Sequence, residues 1–158
     1  MNPIPAAILD KHLDAMVTSL RLTPEEMVDP AVREFLELTL LTSAQEKSSR
    51  PDDWTHEQRN AHDKGDWRLF SRLRGYTEEE IESFARYLGA VEKVEAAHGN
   101  PEDPYIVPQS MSHQIQVCLV AIADEIYPGS PWAAVEKLLY ATAADRFCAA
   151  FDRITRFN

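Results

Sequence analysis

Two neighbouring residues, His62 and Asp63, are the pair in this chain best suited to chemistry. Adjacent imidazole and carboxylate ligands on a helix suit iron, manganese or zinc, and a metal-bound water can then attack phosphate. Completing such a site needs ligands from elsewhere, for which His12 or His56 with Asp124 or Asp145 are available. The flanks point the other way. Arg59-Asn60-Ala61 before the dyad and Lys64-Gly65 after it describe a polar helix end, whereas metal sites favour a dry, shaped cavity. A second spacing, Glu95-Ala96-Ala97-His98, puts a carboxylate and an imidazole on one helix face, as di-iron bundles require. Those bundles need a second such motif and two more glutamates, and Asp53 with His56 supplies only a spacing at a loop edge. The ordinary role for His98 is in a last helical turn, where a cationic imidazole complements the helix dipole. His56-Glu57 lacks the second histidine of a zincin helix.

The His62–Asp63 dyad resembles the metal-binding dyad of all-α phosphohydrolases of the HD type. The resemblance covers these two residues alone. It implies, as the alternative function, a metal-dependent hydrolase with His62 and Asp63 as ligands. Other catalytic machinery is not indicated. There is no G-x-S-x-G elbow, and the five glycines are scattered rather than gathered into a phosphate loop. Cys118 and Cys148 are not a C-x-x-C pair, and both fall on apolar helical stripes, where burial makes a thiol inert. No cofactor is expected.

One segment runs against the acidic trend of the chain. Arg59, Lys64, Arg68, Arg72 and Arg74 are interleaved with Trp54, Trp67, Phe70 and Tyr76. Arg68 and Arg72 are an i, i+4 pair on the helix face that also carries Lys64. Tryptophan, tyrosine and arginine are enriched in interface hot spots, so Trp67, Arg68, Arg72 and Arg74 are candidate partner-binding residues. The plainer account is that Trp67, Phe70 and Leu73 pack inward while the bases pair with local acids. Glu78, Glu79, Glu80 and Glu82 are explained by the positive end of a helix dipole. Tyr105 is a further candidate contact, at the centre of a proline-stiffened loop over 100–108.

The elements that must position these residues are all helical. Apolar residues at helical spacing predict a helix over residues 5–21. Thr23-Pro24-Glu25-Glu26 is a cap, a first-turn proline and dipole-complementing acids, and Asp29-Pro30 repeats the start signal for a helix ending near Lys47. Residues 48–53 are a turn-rich linker. Thr55 with Gln58 and Thr77 with Glu80 fit capping boxes, Asp66 can cap residues 67–74, and Gly65 and Gly75 are stops. The helix after Thr77 carries Ile81, Phe84, Leu88, Val91 and Val94 on one stripe and ends at His98 and Gly99. Ser110 or Ser112 caps a helix to about residue 127. Its off-stripe Val117 and Val120 make it apolar over much of its girth, which predicts the most buried position. Pro128-Gly129 breaks it, and Ser130-Pro131 starts a final helix with Val135, Leu138, Leu139, Phe147, Phe151 and Ile154 inside. No stretch alternates with period two. The expected fold is all-α: an irregular bundle of five to seven helices in one domain over residues 1–158, with the last two helices and the 78–98 helix in the middle.

At 158 residues the chain can bury roughly 68–70% of its unfolded surface and needs no disulfide, metal or partner to hold a core. The net charge of −10 is spread evenly. Such a field repels nucleic acid and anionic lipid and suits a basic protein partner. No apolar run approaches the roughly 18–20 residues of a membrane span, and the first residues lack a basic region followed by an apolar one, so the cytoplasm is the expected compartment. The expected function is protein–protein binding of the inhibitor, toxin-neutralising or accessory-subunit kind. An enzyme is the less favoured alternative.

Overall fold

The computed structural model describes residues 4–98 and 107–155, with side chains described over 4–98 and 111–155. The described residues form eight α-helices and one short 3-10 turn, with no strand. Five to seven helices were expected; the extra count comes from α2 and α5, one or two turns each, which a proline or a glycine sets apart from their neighbours.

Helices α1 (Ala6–Ser19), α2 (Pro24–Val28) and α3 (Pro30–Gln45) open the chain. A 3-10 turn at Pro51–Asp53 leads into α4 (His56–Asp63) and α5 (Trp67–Leu73). The long helices α6 (Glu78–His98), α7 (Val107–Ile126) and α8 (Trp132–Thr155) complete it. The start signals act as their chemistry requires. Thr23, Thr55 and Thr77 each accept from the backbone N–H three residues on, while Glu26, Gln58 and Glu80 reach back to the threonine N–H. Each box satisfies two amides that a helix start would leave unpaired. Asp66 caps α5 by accepting from Leu69 N–H. Gly65, Gly75 and Gly129 have φ of 72°, 92° and 81°, the left-handed turn that ends a helix at low cost only in glycine.

One apolar core joins α1, α3, α6, α7 and α8. Its centre is not where the sequence placed it. α7 buries Met111, Ile115, Leu119 and Ile122, but Val117 is 54% exposed and Val120 36%. Those off-stripe valines face outward, so α7 is a one-sided flank. The central element is α3, which makes its most extensive contacts with α6 on one side and α8 on the other. Val32, Phe35, Leu36, Leu38, Thr39 and Leu40 are all buried, a girth no single stripe would give.

The buried stripes of α6 and α8 also differ from expectation. α6 buries Ile81, Ser83, Ala90 and Val94, while Phe84 and Leu88 are each 38% exposed. Small residues let helix axes approach. Ser83 and Ala90 lie on the buried line of α6, with Tyr87 between them in sequence stacked on Phe35 at 6.0 Å. A stripe counted only from large apolar residues is rotated away from that line. α8 behaves likewise: Ala143 and Ala150 join Val135, Leu139, Phe147 and Phe151 inside, and Leu138 is exposed. α7 starts at Val107, with Pro108 in its first turn where a missing N–H costs nothing, rather than at a cap on Ser110 or Ser112. The remainder of the proposed 100–108 loop, Tyr105 included, lies outside the described residues.

Ion pairs brace the helices across the core. Arg146 grips Asp10 at 2.8 Å and Arg153 grips Asp14 at 2.8 Å, joining α8 to α1. Arg33 pairs with Asp152 at 2.6 Å, joining α3 to α8, and His12 pairs with Glu125. Asp29 serves two elements: one oxygen accepts from Ala31 N–H at the start of α3 and the other meets His98 Nε2 at 2.7 Å. The Ala31 amide, then the His98 contact, hold the Asp29 carboxyl below its ordinary range. A carboxylate depressed on folding stabilises above its unfolded pKa, near 3.9, and loses that contribution as pH falls through the folded value. Asp29→Ala is therefore expected to cost about 1 kcal/mol at pH 7 by urea unfolding. The gap from the wild type should narrow progressively as pH falls below about 4. A gap that is the same at pH 7 and pH 3 would contradict the ionised cap.

Candidate functional site

The segment from Trp54 to Tyr76 forms a satellite to the core. α4 and α5 pack against each other, α5 packs along α6, and Ala61 is the single buried residue in the two helices. Aromatic stacking and hydrogen bonds hold it together. Trp54 lies 4.7 Å from the His62 ring and 4.9 Å from Phe70, and Phe70 lies 5.4 Å from His62. Gln58 donates from its side chain to the Leu73 carbonyl at 3.0 Å, closing the α4–α5 turn. Arg59 reaches back to the Pro51 carbonyl at 2.6 Å.

The basic residues divide by partner. Arg68 meets Glu82 at 2.5 Å and lies 4.8 Å over the Trp67 ring. Arg72 donates from two nitrogens to the two oxygens of Glu78, at 2.5 and 3.2 Å. That fork holds the Glu78 carboxyl below its ordinary range and raises Arg72. Arg74 turns the opposite way. It donates to the Lys47 carbonyl and lies over the rings of Phe70 and Tyr76, 5.3 and 5.4 Å away, while Lys47 N–H donates to the Tyr76 hydroxyl at 2.7 Å. The acids at the start of α6 thus do more than complement a dipole: Glu78 and Glu82 clamp α5 onto α6.

Trp67, Arg68 and Arg72 therefore share one surface, the α5–α6 face, and Arg74 lies on the side toward α3. Their apolar continuation was not visible in sequence. Trp67 packs edge-on against Phe84 at 5.5 Å, and Leu88 stands one helical turn beyond. Leu69, Phe84 and Leu88 are among the few large apolar side chains left exposed. Ser83 and Ala90 were the available signal, because they fix which way α6 turns.

The metal-site residues are dispersed. His62 Nδ1 is 3.4 Å from Asp63 Oδ1, both side chains are exposed, and the His62 ring lies against those of Trp54 and Phe70. Its proposed complements do not gather on it. Among the described residues no three histidine, cysteine, aspartate or glutamate side chains come together in a way that could hold a metal. His98, the histidine of the E-x-x-H spacing, is engaged by Asp29. The thiols are less deeply placed than their stripes suggested, both being half-buried. Burial still raises Cys148, whose thiol donates to Glu37 at 3.3 Å. No helix among the described residues is long and apolar enough to cross a membrane. Comparison with protein-family models finds no match, and neither the curated proteins nor the solved structures give a significant one.

Proposed function

We propose that this chain is a cytoplasmic binding protein that acts by docking onto another protein, as inhibitors, toxin-neutralising proteins and accessory subunits do, and that it docks through the α5–α6 face. One observation carries the reading. Trp67, Phe84 and Leu88 form a partly exposed apolar ridge beside the fully formed ion pairs Arg68–Glu82 and Arg72–Glu78. Partly buried aromatic anchors ringed by pre-ordered arginines resemble the centre of an interface, where side chains already fixed lose little entropy on binding. Most arginines that touch an acid are spent on internal pairs, so the surplus of carboxylates defines the outer field and favours a basic partner.

Reversing Arg68 and Arg72 alone would set glutamate against glutamate and loosen α5 from α6. The informative variant exchanges both pairs, Arg68→Glu with Glu82→Arg and Arg72→Glu with Glu78→Arg. It keeps the internal attraction and inverts the outward pattern. A partner captured from the native host and identified by mass spectrometry is then titrated in purified form. The exchanged variant should bind about tenfold more weakly while staying folded, its melting temperature lowered only by the lost dipole complementarity at positions 72 and 78. Equal affinity would remove the α5–α6 face from the interface.

A further inference from the structure

An open hollow of about 410 Å³ lies where the chain leaves α3 and turns into the satellite. Lys47, Arg50 and Arg74 line it together with Ser48 and Ser49, and Asp53 is the one acid on its wall. In a chain of net charge −10 this is a local reversal of sign. It also accounts for Arg74, the basic residue that the α5–α6 face leaves out.

Two features separate the hollow from an ordinary solvated basic surface. The first is that its cations lack counter-charges. Arg33, Arg68, Arg72, Arg86, Arg146 and Arg153 each hold a carboxylate. Lys47, Arg50 and Arg74 enter none of the ion pairs among the described residues. Arg74 donates to the Lys47 carbonyl and lies over two rings, and the Lys47 ammonium lies 5.7 Å over the Tyr76 ring. Those contacts orient both cations and neutralise neither. The second feature is that the segment is fixed although it is irregular. Residues 46–50 belong to no helix. Lys47 N–H donates to the Tyr76 hydroxyl at 2.7 Å, Trp54 Nε1 donates to the Ser49 hydroxyl at 2.5 Å, and Arg59 donates to the Pro51 carbonyl at 2.6 Å. Because the Ser49 oxygen accepts from Trp54, its own proton is left to donate elsewhere. Groups already held in place lose little entropy on binding.

We propose that this hollow binds a phosphoryl group. A guanidinium presents a planar fork of donors that matches phosphate oxygens, and an ammonium adds a point charge. Three cations against one carboxylate suit a dianion better than a single carboxylate ligand. The whole-chain field opposes any anion at long range, but it is largely screened beyond about 8 Å at physiological salt, so recognition acts at contact distance. The same chemistry serves a free phosphate and a phosphorylated side chain of another protein. The inference goes beyond the docking face, since the hollow lies on the side of the satellite toward α3.

The test is a nuclear magnetic resonance titration of the full chain at constant ionic strength, following the amides of residues 47–50 and the Trp54 indole N–H. The probes are inorganic phosphate, a short alanine peptide carrying one phosphoserine, and acetate. Wild type is compared with Lys47→Gln/Arg50→Gln and with Lys11→Gln/Lys64→Gln, which removes the same charge outside the hollow. Phosphate should shift these resonances saturably, bind the hollow variant about tenfold more weakly, and bind the outside variant within about twofold of wild type. No saturable shift up to about 20 mM phosphate, equal weakening in the two variants, or acetate binding as tightly as phosphate would overturn the site. A peptide that binds about tenfold more tightly than free phosphate upholds the site and assigns the group to a protein side chain, and equal affinity upholds it for the free anion. Failure here is separable from failure of the α5–α6 face, because neither variant touches the exchanged ion pairs.

Discussion

Phe35→Ala is expected to cost about 3–5 kcal/mol, a large share of the roughly 5–15 kcal/mol that holds a domain together. The side chain is fully buried on α3, between the helices that flank it, and its ring stacks on Tyr87. Truncation removes its transfer free energy and leaves a cavity at the point where α6 and α8 both depend on α3. The contrast is Val117→Thr with Val120→Thr on α7, expected to stay within about 0.5 kcal/mol because both valines already face outward. Urea unfolding of the two variants decides which helix is central. A comparable loss in the α7 variant would restore α7 to the middle.

The second large effect concerns binding. Trp67→Ala should weaken the partner complex by about 2 kcal/mol or more, roughly thirtyfold in Kd, because truncating a buried aromatic anchor also strands the groups packed on it. Trp67 supports both the Phe84 ring and the Arg68 guanidinium, so some of that loss will be accompanied by a lower melting temperature. Leu88→Glu separates the two contributions. Leu88 is exposed and belongs to none of the core contacts, so a charge there should impair binding by calorimetry and leave thermal unfolding unchanged. Unimpaired binding by Leu88→Glu would confine the interface to α5.

The helices were legible because their ends carry explicit chemistry. Thr55 with Gln58 and Thr77 with Glu80 are capping boxes in sequence and in space, and Gly65 and Gly75 stop helices where a positive φ is required. Two things were not legible, for one reason. Which helix is central, and which way α6 faces, depend on where axes can approach closely. That is set by Ser83, Ala90, Ala143 and Ala150, residues that carry no hydrophobic signal of their own. Rotating α6 onto those small residues is what leaves Phe84 and Leu88 outside. The candidate arginines were found by type and spacing, but their partners were not. Arg68–Glu82 spans fourteen positions and a turn, beyond any i, i+4 rule. Glu78 and Glu82 had a sufficient local explanation in the dipole of α6, which hid their second role.

Hydrogen exchange on the complex tests the central claim most directly. With the identified partner bound, amides in α5 and the first half of α6, residues 67–88, should gain protection, while the α1–α2 turn and the outer face of α7 around Val117 stay as they are in the free protein. Protection confined to those other surfaces, with 67–88 unchanged, would contradict the assignment of the α5–α6 face as the place where this protein acts.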